Sequence, residues 1–215
     1  MEVKVELITE HVKISSSGEG MNETLVLVDR LASSQGLAKK QAFHLRLLTE
    51  EMFSMVRAIA GELDAYFWIE ENNRSFKIHL KSNKIELNYE KRREFLSVST
   101  KGENIAKRGV MEKIREIVEA GLYSVEESFN LQAEYGTGMF TSYGMMTQLD
   151  SGVSDAIYSW SMQKYRDEIE TEREKNSDAD EAWDELEKSI IANIADDVCV
   201  GVRKGGFEII IEKKF

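Results

Sequence analysis

Apolar and polar residues alternate at both ends of the chain and again near its middle, and this constrains the fold more than any other feature. Val3, Val5 and Leu7 alternate with Glu2, Lys4 and Glu6, and Phe76, Ile78 and Leu80 alternate with Lys77, His79 and Lys81. Near the end, Val198, Val200 and Val202 precede a turn at Arg203-Lys204-Gly205-Gly206, and Phe207, Ile209 and Ile211 follow it. A period of two marks strands with one buried and one polar face. Strands of this kind suit an antiparallel or mixed sheet, because the strands of a doubly wound parallel sheet read as more continuous apolar runs.

Helical periodicity fills the intervals. Leu25, Val28, Leu31 and Ala32 predict a helix over about 21–33, and Ala42, Leu45, Leu48, Met52, Met55, Val56 and Ile59 a longer one over about 38–62, with Gly61 as its stop. Tyr66 to Ile69 reads as a strand and Glu71-Asn72-Asn73-Arg74 as a hairpin turn, since Asn tolerates positive φ. Ile85, Leu87 and Tyr89 suggest a further short strand. A third helix is expected from Gly109 to Gly121, a fourth around Ile157 to Ile169, and a fifth over about 180–195, spaced by Trp183, Leu186, Ile190 and Ile194. The expected fold is α/β of the α+β kind. It is a two-layer sandwich whose mixed or antiparallel sheet carries helices on one face and water on the other. One domain spans residues 1–215, with a helical insertion over 122–195.

Composition narrows the function. Hydrophobic residues make up 42% of the 215 residues, enough for a packed core. No apolar run reaches the length of a membrane helix, and Met1-Glu2-Val3-Lys4 does not open a secretory signal, so the expected setting is cytoplasmic, without membrane contact. The net charge of −11 argues against binding nucleic acid. One cysteine, Cys199, and three scattered histidines supply no Cys/His metal site. Proline is absent, so connections rely on Gly, Asn and Ser.

Two stretches carry a more specific signal. Leu47-Leu48-Thr49-Glu50-Glu51-Met52-Phe53-Ser54-Met55-Val56 presents carboxylates on a helix that follows a strand and a helix and precedes a hairpin. Gly109-Val110-Met111-Glu112-Lys113-Ile114-Arg115-Glu116-Ile117-Val118 opens a helix behind the cations Lys101, Lys107 and Arg108. With the closing hairpin from Asp197 to Phe215, these segments and their order resemble the histidine-kinase-like ATPase superfamily, in particular anti-sigma serine kinases and sensor-kinase ATPase domains. The resemblance implies a two-layer α/β sandwich, ATP or ADP with Mg²⁺ as ligands, and Glu51 as the carboxylate that polarises the attacking nucleophile. Lys101, Gly102, Lys107, Arg108 and Gly109 would then lie on the phosphate side, where open backbone N–H groups and a helix N-terminus favour anions.

Departures from the family pattern shift the expected activity. Four residues after Glu51, where the family has the Mg²⁺-binding Asn, stands Met55, and a thioether is a poor ligand for a hard cation. Ser54, four after Glu50, is the nearest replacement. The family's adenine-reading Asp-x-Gly-x-Gly is replaced by Lys81-Ser82-Asn83-Lys84, and Ala106-Lys107-Arg108 precedes Gly109 in place of a glycine-rich cradle. The resulting expectation is a regulatory module with eroded ATP-site motifs, working through contact with another protein rather than as an enzyme. The alternatives are an active ATP-dependent anti-sigma-type serine kinase or ATPase, and a nucleotide-independent scaffold.

Further candidates lie between Ser128 and Gly152. Tyr135, Met139, Phe140, Tyr143, Met145 and Met146 stand among glycines and suit a lid or a partner surface, because methionine adapts to many shapes. Gly136-Thr137-Gly138 and Asp150-Ser151-Gly152 resemble the family's glycine boxes, in reversed order. From Tyr165 to Glu187 eleven acids face three bases, read as a solvated helical hairpin or a surface for a basic partner. His11, His44 and His79 read as ordinary solvated or hydrogen-bonded histidines, and Cys199 as a small buried residue if it faces the core.

Overall fold

A computed structural model describes residues 7–59, 61–87, 114–115, 117–118, 122, 158–173, 177–203 and 205–215. The described chain runs β1 (Leu7–Ile8), β2 (Val12–Ser15), α1 (Met21–Ser34), α2 (Lys39–Ala58), β3 (Gly61–Asn72), β4 (Ser75–Leu87), β5 (Tyr158–Ser161), α3 (Met162–Glu172), α4 (Ser177–Lys188), α5 (Ile190–Ile194), β6 (Asp197–Arg203) and β7 (Gly206–Lys214). These seven strands form one open antiparallel sheet in the order β1-β3-β4-β7-β6-β5, and β2 pairs with β3 beside β1. The molecule is an α+β sandwich, as the alternating strands require.

Each strand gives one set of alternate residues to a common core. Ile14, Leu63, Phe67, Ile69, Phe76, Ile78, Leu80, Val198, Val200, Phe207, Ile209 and Ile211 are all at most 2% exposed. They pack with Val28 and Leu31 of α1, Leu45, Leu48, Met52 and Met55 of α2, Met162 of α3, Leu186 of α4 and Ile191 of α5. Ile114, Val118 and Leu122 are helical and join the same core. Helix α1 starts where Gly20 adopts φ +74°, and a Cβ there would fall 2.0 Å from the Lys13 carbonyl oxygen. Only glycine lets the chain leave β2 so closely and enter the helix.

Several boundaries differ from expectation for identifiable reasons. Helix α2 ends at Ala58, because Ile59 turns extended and Gly61 opens β3 rather than closing the helix. The short strand expected at Tyr66 to Ile69 is twelve residues long, since pairing with β2 and β4 draws in both flanks. The separate strand expected from Ile85 belongs to β4, which absorbs a register shift opposite Asp64 and Ala65. Tyr158 to Ser161 is strand rather than helix: the segment pairs with β6, and Ser161 caps α3 by accepting from the Lys164 N–H. The expected helix over 180–195 is two helices, because Ser189 is extended and caps α5. That break changes the phase, so Leu186 stays buried while Ile190 turns outward at 49% exposure.

Candidate functional site

The resemblance assigns nucleotide binding to residues on α2 and to segments after it in the chain. On α2, Glu51 is half-buried at the edge of the apolar face. Its neighbour Glu50 takes an ion pair from Arg46 at 3.0 Å, and Arg46 also bridges to Asp29 of α1. Ser54 is exposed and donates its hydroxyl to the Glu50 carbonyl oxygen at 3.1 Å, the usual satisfaction of a helical serine. Met55 is 2% exposed and belongs to the core. Helix α2 therefore points a thioether into the sheet at the position where the resemblance calls for a metal-binding amide.

The stretch Lys81-Ser82-Asn83-Lys84 stays inside β4. Ser82 is fully buried, its hydroxyl donates to the Asp64 carbonyl oxygen at 2.7 Å, and Asn83 is the extra residue of the register shift. A β-bulge thus stands where the resemblance calls for an adenine-reading loop. Lys101, Gly102, Lys107, Arg108 and Gly109 lie outside the described residues, as do Tyr135, Met139, Phe140, Tyr143, Met145 and Met146.

A cavity of about 370 Å³ opens beside the β2–α1 turn, lined by Ser15, Ser16, Ser17, Glu19, Glu62, Leu63 and Asp64. Three carboxylates line it, and that of Asp64 is paired with Lys13 at 2.8 Å. Among the described residues, no group of three His, Cys, Asp or Glu gathers to hold a metal ion. None of the helices there is long and apolar enough to cross a membrane.

The densest chemistry lies on the sheet face turned away from the helix core. The turn Asn73-Arg74 has φ of 51° and 63°, the two positive values of a type I′ hairpin, and it sets Trp68 opposite His79. The register continues His79 to Ile210, Ile210 to Cys199 and Cys199 to Ser161. These five residues form a stripe across the sheet, and their exposures run from 1% at Ile210 to 9% at Trp68. The expectation of a wet second face is corrected here, because the middle of that face is buried and only its flanks are charged.

The rings of the stripe stack. His11, on the β1–β2 connection, lies 4.6 Å from Trp68 between ring centroids, and Trp68 lies 4.5 Å from His79. Both nitrogens of His79 face carboxylates, Nδ1 at 3.4 Å from Glu208 and Nε2 at 3.5 Å from Glu70. Glu70 accepts a hydrogen bond from the Trp68 indole N–H at 3.1 Å. Glu208 is 6% exposed and has Lys81 at 3.7 Å. Burial works to raise the Glu208 pKa, but the His79 hydrogen bond and the charges of Lys81, His79 and Arg203 outweigh it and hold the carboxyl below its ordinary value.

Further along the stripe, Asp197 accepts from the Ser161 hydroxyl at 3.0 Å, the Gln163 N–H at 2.9 Å and the Val198 N–H at 2.7 Å. It ties the start of α3 to β6. Cys199 donates its thiol to Asp197 at 3.3 Å, and burial, then the charge of Asp197, push the thiol pKa far up. An inert thiol results, buried as expected but on the face opposite the main core.

His79 contacts Glu208 through Nδ1, and His44 sits half-buried on α2, its pKa lowered by burial and by Lys40 and Lys213. The stack of His11 on Trp68 has no local sequence signal, and the pairing of Trp68 with His79 comes from the strand register. Comparison with protein-family models, with curated proteins and with solved structures finds no match.

Proposed function

We propose that the chain is a regulatory module of the histidine-kinase-like ATPase type whose metal position has been given over to core packing, and that it acts through contact with another protein. The observation that carries this reading is Met55. A residue 2% exposed and packed among apolar side chains has no route to a hydrated cation. The order of elements supports the same reading: two helices run ahead of the β3–β4 hairpin, and the closing hairpin β6–β7 is laid against β4. The β-bulge at Asn83, in place of an adenine loop, also fits a scaffold that no longer turns over ATP.

The test is phosphate release from Mg²⁺-ATP by wild type and Glu51→Gln. Equal background release in both is expected. Turnover above background that falls in Glu51→Gln would overturn the proposal and favour the active kinase. Thermal unfolding with millimolar Mg²⁺-ATP or ADP then defines the role of nucleotide. A ligand at a hundred times its Kd adds about 2.7 kcal/mol and raises the midpoint by a few degrees, which would make nucleotide an effector of the contact.

A further inference from the structure

The outer end of the aromatic stack is built differently from the rest of the second face. Trp68 is covered on its inner side by His79, which is held by Glu208, and on its outer side by His11. His11 is exposed and, among the described residues, makes no side-chain hydrogen bond, so it is held on the indole by stacking alone. The backbone on both sides of it is fixed. The Thr9 N–H donates to the Ile69 carbonyl oxygen at 2.9 Å, and Val12 is paired with Phe67. Movement of the His11 ring off Trp68 would therefore be a change of side-chain rotamer rather than of a strand.

What that face offers is specific. An indole is the strongest π-surface for a cation. At its edge stands Glu70, with 28% of its side chain exposed. Only one of its oxygens, Oε1, accepts a hydrogen bond among the described residues, and that bond comes from the same indole. Around the opening, Ile8 is 55% and Tyr66 46% exposed, two of the most exposed large apolar side chains in the described residues. Ile8 pairs with Glu70 across β1 and β3, and Tyr66 lies two residues before Trp68 on β3, so all of them share one face at one edge of the sheet.

We propose that this edge is a docking surface for an arginine side chain presented by a partner protein, and that His11 is the chain's own stand-in for it. A guanidinium is planar, so it can lie on Trp68 where the imidazole lies. It is always charged, so the indole attracts it, and its fork of donors reaches Oε2 of Glu70, which in the closed stack faces His79 Nε2 at 3.5 Å. Ile8 and Tyr66 supply apolar surface for the stem of the arginine and its neighbours. The proposal rests on the reading of the chain as a protein-contact module and names the surface and the chemistry of the partner.

The test uses the full chain and three blocked peptides, acetyl-Gly-Arg-Gly-amide and its lysine and citrulline counterparts. Binding is followed by the NMR shift of the Trp68 indole N–H, which reports directly on the stack and on the Glu70 hydrogen bond. The arginine peptide is expected to shift this resonance and to bind at least about threefold more tightly than the lysine and citrulline peptides. His11→Ala, which removes the competitor, should tighten arginine binding by about threefold or more, and Glu70→Gln should weaken it by about fivefold or more.

His11 is exposed and Glu70 partly exposed, so both variants should stay folded at the assay temperature, which their thermal midpoints check. Equal binding of the lysine or citrulline peptide, no tightening in His11→Ala, or no loss in Glu70→Gln would each overturn the proposal. None of these results bears on phosphate release, so this surface and the non-catalytic reading of α2 fail separately.

Discussion

Trp68 and His79 stand opposite each other in β3 and β4, their ring centroids 4.5 Å apart and their planes within 9° of parallel. This pair joins a hairpin register to a buried charge network, because the same imidazole contacts Glu208 of β7 through Nδ1. Replacing His79 by Ala removes the ring from the stack and leaves the Glu208 carboxylate buried without its hydrogen-bond donor. The expected cost is about 2–4 kcal/mol, from lost stacking and an unsatisfied buried acceptor. Chemical denaturation measures it, and His79→Ala with Glu208→Gln should recover part of the loss. A double variant as unstable as the sum of the singles would show that the two side chains do not interact.

Stability should also fall on acidification in a way that Glu208 controls. Its folded pKa lies below its unfolded value. The stabilisation it contributes is therefore fully present above the unfolded pKa and disappears as pH falls through the folded pKa. Denaturant midpoints between pH 7 and pH 3 should decline more steeply for wild type than for Glu208→Gln. Parallel declines would contradict the assignment.

Gly206 is the residue least able to accept a side chain in the closing hairpin. A Cβ there would lie 2.2 Å from the Ser82 carbonyl oxygen, so β4 and β7 would have to part. Gly206→Ala should cost about 2–3 kcal/mol, the upper part of the range for overpacking. Gly36, with φ +59° but nothing within 4 Å of its Cβ position, should lose only about 1–2 kcal/mol as Ala, from backbone conformation alone. Thermal or urea unfolding ranks the two, and a reversed order would contradict the close approach.

Met55→Asn restores the residue type that the resemblance calls for. Because the position is buried, the substitution should destabilise the chain by about 2–4 kcal/mol, through lost apolar packing and a poorly satisfied amide. No Mg²⁺-dependent ATP binding should appear. Calorimetric titration of the variant below its unfolding midpoint checks this, and a new Mg²⁺-dependent heat would show that α2 still faces a nucleotide site.

Much of the sheet was legible because its signals are local. The alternation at Val198 to Ile211 is a period-two pattern read directly as a hairpin, and the hairpin turn within Glu71 to Arg74 follows from Asn, which tolerates positive φ. Helix α1 was legible from its apolar spacing. The candidate site was legible only in part. Glu51 and Ser54 could be placed on a helix, and the thioether at Met55 could be recognised as a poor ligand. The stack of His11 on Trp68 joins residues fifty-seven positions apart, and no local pattern marks it.

The sequence by itself determined which segments are strands and helices over most of the described chain, because side-chain period and turn chemistry act between neighbours. Only the tertiary structure decided which short segment becomes strand or helix where both were possible. Tyr158 to Ser161 became strand because β6 offered an edge to pair with, and the helix after Ser177 broke at Ser189, leaving Leu186 inside and Ile190 outside. Tertiary structure alone also gave the second face of the sheet its buried stripe. Trp68, His79, Ile210, Cys199 and Ser161 are brought into line by strand register, and what lies beside a residue in the next strand is set by long-range pairing, not by its neighbours in the chain.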